Sequence, residues 1–166
     1  MPLLSTLGTV APYHVLLYSI LYGATTYQSF YSGIVAFRAL PYEQFATLQH
    51  AVFPRYFAFQ TVASLVLMGT TPYDITPFAY STLGFSFVSG LLNSLLFGPK
   101  QNKLIKQRMT QAEAEGKSHK DPTASPEMKR LNKQFAKFHG ISVLFNLALW
   151  ISLSVYGVGL TEKLSA

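Results

Sequence analysis

The sequence predicts an all-α fold: a four-helix transmembrane bundle whose third and fourth helices run on into a cytosolic helical hairpin. Three observations carry that prediction. Only 12% of the 166 residues are charged and 49% are apolar or aromatic, whereas an average soluble chain is about 25% charged. Ten of the thirteen Lys and Arg lie between residues 98 and 137. Outside that segment the uncharged stretches reach the roughly 20 residues that a helix needs to cross a bilayer. A soluble domain of this size leaves much of its area facing water and would need more polar surface.

The first span is read over residues 13–37, because no charged residue precedes Arg38. Tyr13 and Tyr18 near one end, and Tyr31 and Phe37 near the other, suit rings that settle at headgroup level. The N-terminus lacks the basic start of a secretory signal, and its apolar stretch is longer than a signal core, so a retained helix is expected. Leu40-Pro41 closes this span, since the residue before proline is pushed out of the α region.

The second span is read over 48–69. Glu43, Gln44 and His50 make its approach mixed, and Pro54 removes one helical hydrogen bond, so a kink is expected there. Gly69-Thr70-Thr71-Pro72-Tyr73-Asp74 is turn chemistry. The third span covers 77–97. Within it Ser86, Gly90 and Ser94 recur every four residues and line one face with small side chains, as Ser29 and Gly33 do on the first helix. Packing within the chain and homodimerisation are both compatible with such faces.

Residues 98–137 form a basic loop or hairpin. Lys103 to Glu115 favours helix, Gly116 to Ser125 suggests a mobile tip, and Ser125-Pro126-Glu127 starts a new helix with Ser as its cap. Met128, Leu131, Phe135 and Phe138 follow at helical spacing and give an apolar stripe that could pack on the preceding helix or lie on the bilayer surface, and 138–160 is the fourth span. The whole chain, 1–166, is thus one transmembrane domain. Eleven basic residues fall on the side of Arg38 and this loop, against Lys163 alone on the other, with Arg55 set aside. The positive-inside rule then puts the loop in the cytosol and both termini in a lumen or outside.

With no cysteine, disulfides, thiolate metal sites and a Cys nucleophile are excluded. Paired intramembrane carboxylates, a Ser/His/Asp set with a plausible acid and a Gly-rich phosphate loop are all missing, so no enzyme is expected. The basic loop lacks interleaved aromatics or a nucleic-acid module, and its charge fits anionic headgroups better.

The segments Gly33-Ile34-Val35-Ala36-Phe37-Arg38-Ala39-Leu40-Pro41, with Phe45, Gln49, Phe53-Pro54 and Tyr56-Phe57, then Asn93 with Pro99, then Leu131, Phe135, His139-Gly140, Ser142 and Asn146-Leu147, resemble the transmembrane protein 205 family. These are small four-span proteins of many eukaryotes. The resemblance implies four spans, no settled biochemical activity, and a loose association with intracellular membranes, trafficking and tolerance of toxic metal compounds. Gly98, where that pattern often has an acid, and Arg55, where an apolar residue is expected, depart from it.

Polar side chains in hydrocarbon are costly and mark candidate sites. His139, Ser142 and Asn146 share one face of the fourth helix. With Asn93, Gln49 and Arg38 they make a candidate cluster at the basic end. It reads either as a hydrogen-bonded lock or as a polar pocket for a lipid headgroup, an anion or a small solute. A His50–His139 pair raises haem or metal ligation as a sharper alternative, but no cofactor or metal is assigned. The expected function is a non-enzymatic accessory subunit or scaffold of an intracellular membrane complex or trafficking pathway, its hairpin offering Met128, Leu131 and Phe135 to a partner or the bilayer. The alternative is a transporter or binding protein for a small solute, metal compound or lipid. The expected partners are the bilayer and a membrane protein or a second copy. The expected location is the endoplasmic reticulum or another endomembrane, with a mitochondrial membrane as the alternative.

Overall fold

The computed structural model describes residues 2–73 and 77–165, which leaves residues 74–76 of the turn after the second helix outside the described residues. The described residues form helices joined by short turns. They are α1 Pro2–Leu7, α2 Ala11–Tyr27, α3 Gly33–Ala39, α4 Tyr42–Gly69, α5 Pro77–Leu92, α6 Gly98–Glu115 and α7 Pro126–Ser165. Two π-helical turns, Gln28–Ser32 and Asn93–Phe97, link α2 to α3 and α5 to α6 without interrupting the helical path.

Among the described residues three helices are long and apolar enough to cross a membrane: Tyr42–Gly69, Pro77–Glu115 and Pro126–Lys163. The stretch 11–39, expected as the first span, is not among them. Eight of its twelve residues from Tyr18 to Ser29 are Tyr, Thr, Ser or Gln. Those polar groups lower its hydropathy, and several of them face other helices. Tyr18, read as an interface anchor, is half-buried and donates to the Leu153 carbonyl at 3.1 Å. Tyr13 is exposed and donates to the Leu7 carbonyl, tying α1 to α2.

Burial divides the bundle into a closed half and an open half. The closed half lies toward the termini, where Leu21, Ala63, Leu67, Ala79, Leu83, Leu149, Leu153, Tyr156 and Leu160 make one buried cluster. Here α5 packs against both α4 and α7. Gly90 permits the closest approach: a Cβ there would stand 3.1 Å from the Thr61 backbone nitrogen. The face of Ser86 and Gly90, both buried, is therefore used inside the chain, against α4. Ser94 is half-buried. The outer surface carries Leu16, Ile20, Val62, Leu65, Phe85, Val88, Leu144, Ile151 and Val158 exposed, an apolar belt far larger than a soluble monomer normally shows.

α4 runs unbroken through Pro54. Arg55 folds back on the same turn and donates to the Ala51 carbonyl at 2.7 Å, which accounts for a cation in an apolar stretch. Gly98 also acquires a reason. In the π turn its N–H donates to the Asn93 carbonyl, and a Cβ would lie 2.7 Å from that oxygen and 3.5 Å from the Phe57 ring. An acid at that position would not fit this backbone.

The hairpin packs on itself. Leu104 on α6 and Met128 and Leu131 on α7 are buried, and α6 lies along α7. Of the placements open to the stripe, packing on the preceding helix is the one taken by Met128 and Leu131, which are therefore not presented to a partner or the bilayer. The tip folds back as well. Asp121 Oδ1 accepts from the Thr123 N–H and hydroxyl, Asn132 donates to the His119 carbonyl at 2.6 Å, and Ser125 donates to Glu115. His119 itself is buried and stacked on Tyr42 at 3.9 Å between ring centroids.

Candidate functional site

The open half of the bundle holds a cleft of about 890 Å³, within the range of small-molecule sites. It forms because α3, beyond the first π turn, makes few contacts with α4 and leaves a gap over α7. One wall is Phe30, Gly33, Ile34 and Phe37; a second is Phe45, Ala46, Gln49, Phe53, Tyr56 and Phe57. The floor is α7, from Phe135 through His139, Ser142, Val143, Asn146 and Leu147 to Trp150. From Phe135 to Trp150 the helix rises about 22 Å, a large part of the roughly 30 Å hydrocarbon core. The walls are mostly apolar and aromatic. The hairpin end of the cleft is cationic, with Arg38, Arg108 and Lys120 beside His119, and among the described residues no Asp or Glu lines any part of it.

The six residues of the sequence-derived cluster do not meet at one point. Arg38 is exposed at the mouth. Gln49 is 6% exposed, lines the middle, and its Oε1 has no hydrogen-bond partner. His139 lines the cleft, stacks on Phe135 and donates through Nδ1 to Gln101 Oε1 at 3.2 Å. Asn93 lies away from the cleft, fully buried, and its Nδ2 donates to the Ser142 carbonyl at 3.2 Å. Ser142 lines the cleft while its carbonyl holds Asn93.

Asn146 is the centre of a different set. Its Oδ1 accepts from the Tyr56 hydroxyl at 2.9 Å and from Gln60 Nε2 at 3.0 Å, and its Nδ2 donates to Ser29 Oγ at 2.7 Å. Gln60 Nε2 also reaches Thr25 Oγ1 at 3.3 Å and Tyr56 at 2.9 Å. Ser29, read as a packing residue, is a hydrogen-bonding one here. Gly33 next to it faces the cleft and has only its own Gln28 carbonyl at contact distance from a built Cβ. The set ties α2 and its π turn to α4 and α7 at the inner end of the cleft. Interhelical bonds of this kind average about 0.6 kcal/mol each in a membrane.

Sequence reasoning missed Thr25, Tyr56 and Gln60 as members of this network. Tyr56 and Gln60 are four residues apart on one helix face, and Gln60 is an amide inside an apolar run, so the signal was present in the second span. Arg108 and His119 were also missed, because both read as ordinary loop residues until the hairpin folds back. A second buried set closes the termini half. His14 Nε2 and the Tyr156 hydroxyl are 2.7 Å apart, His14 Nδ1 lies 3.1 Å from Thr70 Oγ1, and Tyr73 donates to Tyr156 at 3.2 Å. For haem or metal, His139 lines the cleft whereas His50 does not. Among the described residues no group of three or more His, Asp or Glu gathers as a metal site.

Residues 16–110, more than half of the chain, match the family described as Domain of unknown function (DUF4149). The chain belongs to the DUF4149 family. It is also 30% identical over 169 residues to the Xanthocillin biosynthesis cluster protein D of Aspergillus fumigatus, an alignment that covers 98% of this chain and 96% of that protein. No solved structure matches it. The resemblance to the transmembrane protein 205 family is corrected by these matches, neither of which points to that family. The motif segments behind the resemblance are mostly span-closing prolines, aromatics and inward-facing amides, which helix packing in a membrane also demands.

Proposed function

We propose that this DUF4149 protein is a non-enzymatic, four-span membrane protein that binds an amphiphilic molecule in the cleft between α3, α4 and α7. The cleft carries the reading: an elongated, largely apolar volume of about 890 Å³ that is cationic at one end. The stretch 11–39 serves as the fourth span. It is continuously helical and uncharged up to Arg38, its Thr25 and Ser29 are partnered inside the bundle, and its exposed Ser19 donates to the Val15 carbonyl of its own helix. The hairpin and the mouth of the cleft lie on the cytosolic side by the distribution of Lys and Arg. Lys100 over the Phe138 ring at 4.3 Å marks the headgroup level there.

Native mass spectrometry of the full chain from mild detergent tests this. One retained amphiphile per chain is expected, with loss of retention in the cleft-narrowing variant Val143→Phe. A chain that always flies empty, or a Val143→Phe variant that retains ligand as well as the parent, would refute it.

A second reading, an accessory protein of a membrane-associated biosynthetic or trafficking pathway, is favoured by the name of the Aspergillus fumigatus relative, which assigns that protein to a biosynthesis cluster. The two readings are compatible if the bound amphiphile is an intermediate or product of such a pathway. Co-purification of biosynthetic enzymes with the tagged chain supports it, and purification of the chain alone from the producing cell counts against it.

A further inference from the structure

We propose that the cationic end of the cleft is a binding site for the phosphate of an anionic lipid, whose acyl chain occupies the apolar length toward Trp150. This inference rests on the amphiphile-binding reading and names its ligand class.

Arg108 is the first observation. Its side chain lines the cleft and is 7% exposed. The guanidinium lies over the Phe135 ring at 4.5 Å and near Tyr42 at 5.9 Å, and its Nε donates to Asn132 Oδ1 at 2.8 Å. Among the described residues the sole ion pair is the exposed one between Glu127 and Arg130, so no carboxylate balances Arg108. Glu43 and Glu113 border the adjoining hollow that Arg108 and His119 also line, but neither forms an ion pair with Arg108. A buried guanidinium without a counter-charge is costly, and natural structures keep such groups where an anion pairs with them.

The second observation is convergence. Arg38 and Lys120 reach the same end of the cleft from α3 and from the hairpin tip, Lys120 lying 5.5 Å over the Phe37 ring. Three cations from three separate elements thus meet where no carboxylate lines the wall. His119 reports the field they make: burial first, then the charges of Arg108 and Lys120, hold its pKa at about 4. Farther in, Gln49 lines the cleft, and its Oε1 has no hydrogen-bond partner. Beyond it Phe53, Val143 and Leu147 offer only apolar surface. A free inorganic anion would leave that apolar length unfilled, whereas a phospholipid engages both ends. Arg is well suited to phosphate, which it meets with a planar fork of donors.

Trp150 is the chain's only tryptophan and lines the inner end, so its fluorescence reads occupancy by a chain. The full-length protein in non-ionic detergent is titrated with acyl-brominated phosphatidate and with acyl-brominated phosphatidylcholine. Saturable quenching is expected for both, with phosphatidate at least tenfold tighter. Lys120→Gln, an exposed substitution, should weaken phosphatidate about fivefold and phosphatidylcholine by less, because the choline cation already offsets the charge of its phosphate. Arg108→Gln should weaken phosphatidate more than tenfold, with partial recovery in Arg108→Lys. Equal affinity for the two lipids, in the parent and in Lys120→Gln alike, would overturn the phosphate site and leave the amphiphile reading standing. Absence of saturable quenching by either lipid would remove both. Thermal protection by inorganic phosphate alone as strong as that by phosphatidate would overturn the lipid assignment in favour of a free-anion site.

Discussion

Replacing Asn146 with leucine keeps the branching and the number of side-chain heavy atoms and removes three interhelical hydrogen bonds at once: those from Tyr56 and Gln60, and the one to Ser29. At about 0.6 kcal/mol for each bond in a membrane, the loss comes to roughly 2 kcal/mol. It is greater if Gln60 cannot find new partners, since its Oε1 is already unsatisfied and a further unmet buried group costs about 1–3 kcal/mol. Gln60 keeps Thr25 and Tyr56, so the lower figure is the better expectation. Equilibrium unfolding in mixed micelles, followed by circular dichroism, measures the difference. The double variant Asn146→Leu with Gln60→Leu should lose less than the sum of the single variants, because the two side chains share a bond. Strict additivity, or an Asn146→Leu protein within about 0.5 kcal/mol of the parent, would refute the network as the element that ties α2 to α4 and α7.

Two packing predictions follow from glycines, and one from pH. Gly98→Ala should destabilise the protein by about 1–3 kcal/mol, because the new methyl lies 2.7 Å from the Asn93 carbonyl; thermal unfolding in detergent checks it, and an unchanged midpoint would count against the π turn. Gly90→Leu should lower stability through α4 and leave the oligomeric state by light scattering unchanged, whereas a shift in oligomer would place that face between copies. His119, with its pKa depressed to about 4, is neutral in the docked tip and gains a proton more readily when the tip is free. The stability it lends is fully present above about pH 6.5 and declines as pH falls toward 4. The protection factors of residues 116–125, that is, hydrogen exchange corrected for the intrinsic pH dependence of amide exchange, should therefore fall over that window as the tip leaves Tyr42 and Arg108, and protection factors that stay constant would contradict the docked arrangement.

Much of the architecture was legible because a membrane imposes a simple requirement. Long uncharged runs must be helical, and Lys and Arg collect where water is. Pro41, Pro77 and Pro126 mark helix starts that the structure places at or next to those residues. The first helix was harder to judge. Its Tyr, Thr, Ser and Gln residues leave it less apolar than its neighbours, and only contacts such as Gln60 to Thr25 and Trp150 to Thr26, at 2.9 Å, explain why they are there. The individual polar residues of the basic end could be picked out, because each breaks an apolar pattern. Their grouping could not, since it depends on where α3 parts from α4. The hairpin tip was read as mobile from its Gly, Ser and Lys content, yet Tyr42 and Asn132 hold His119 in place. Such long-range pairing leaves no local trace in composition. Arg108 shows the same limit: at sequence level it is one of ten loop cations, and only the fold buries it against Phe135.

The central claim, that an amphiphile lies inside the cleft rather than around the bundle, is tested most directly by photo-crosslinking. The purified protein is loaded with a lipid carrying a photoreactive group midway along its acyl chain, irradiated, and mapped by peptide mass spectrometry. Crosslinks concentrated at Ile34, Phe53, Val143 and Leu147, which line the cleft, and lost in Val143→Phe are the predicted result. Crosslinks spread evenly over the outer belt of Leu144, Ile151 and Val158, with none favouring the cleft, would contradict it.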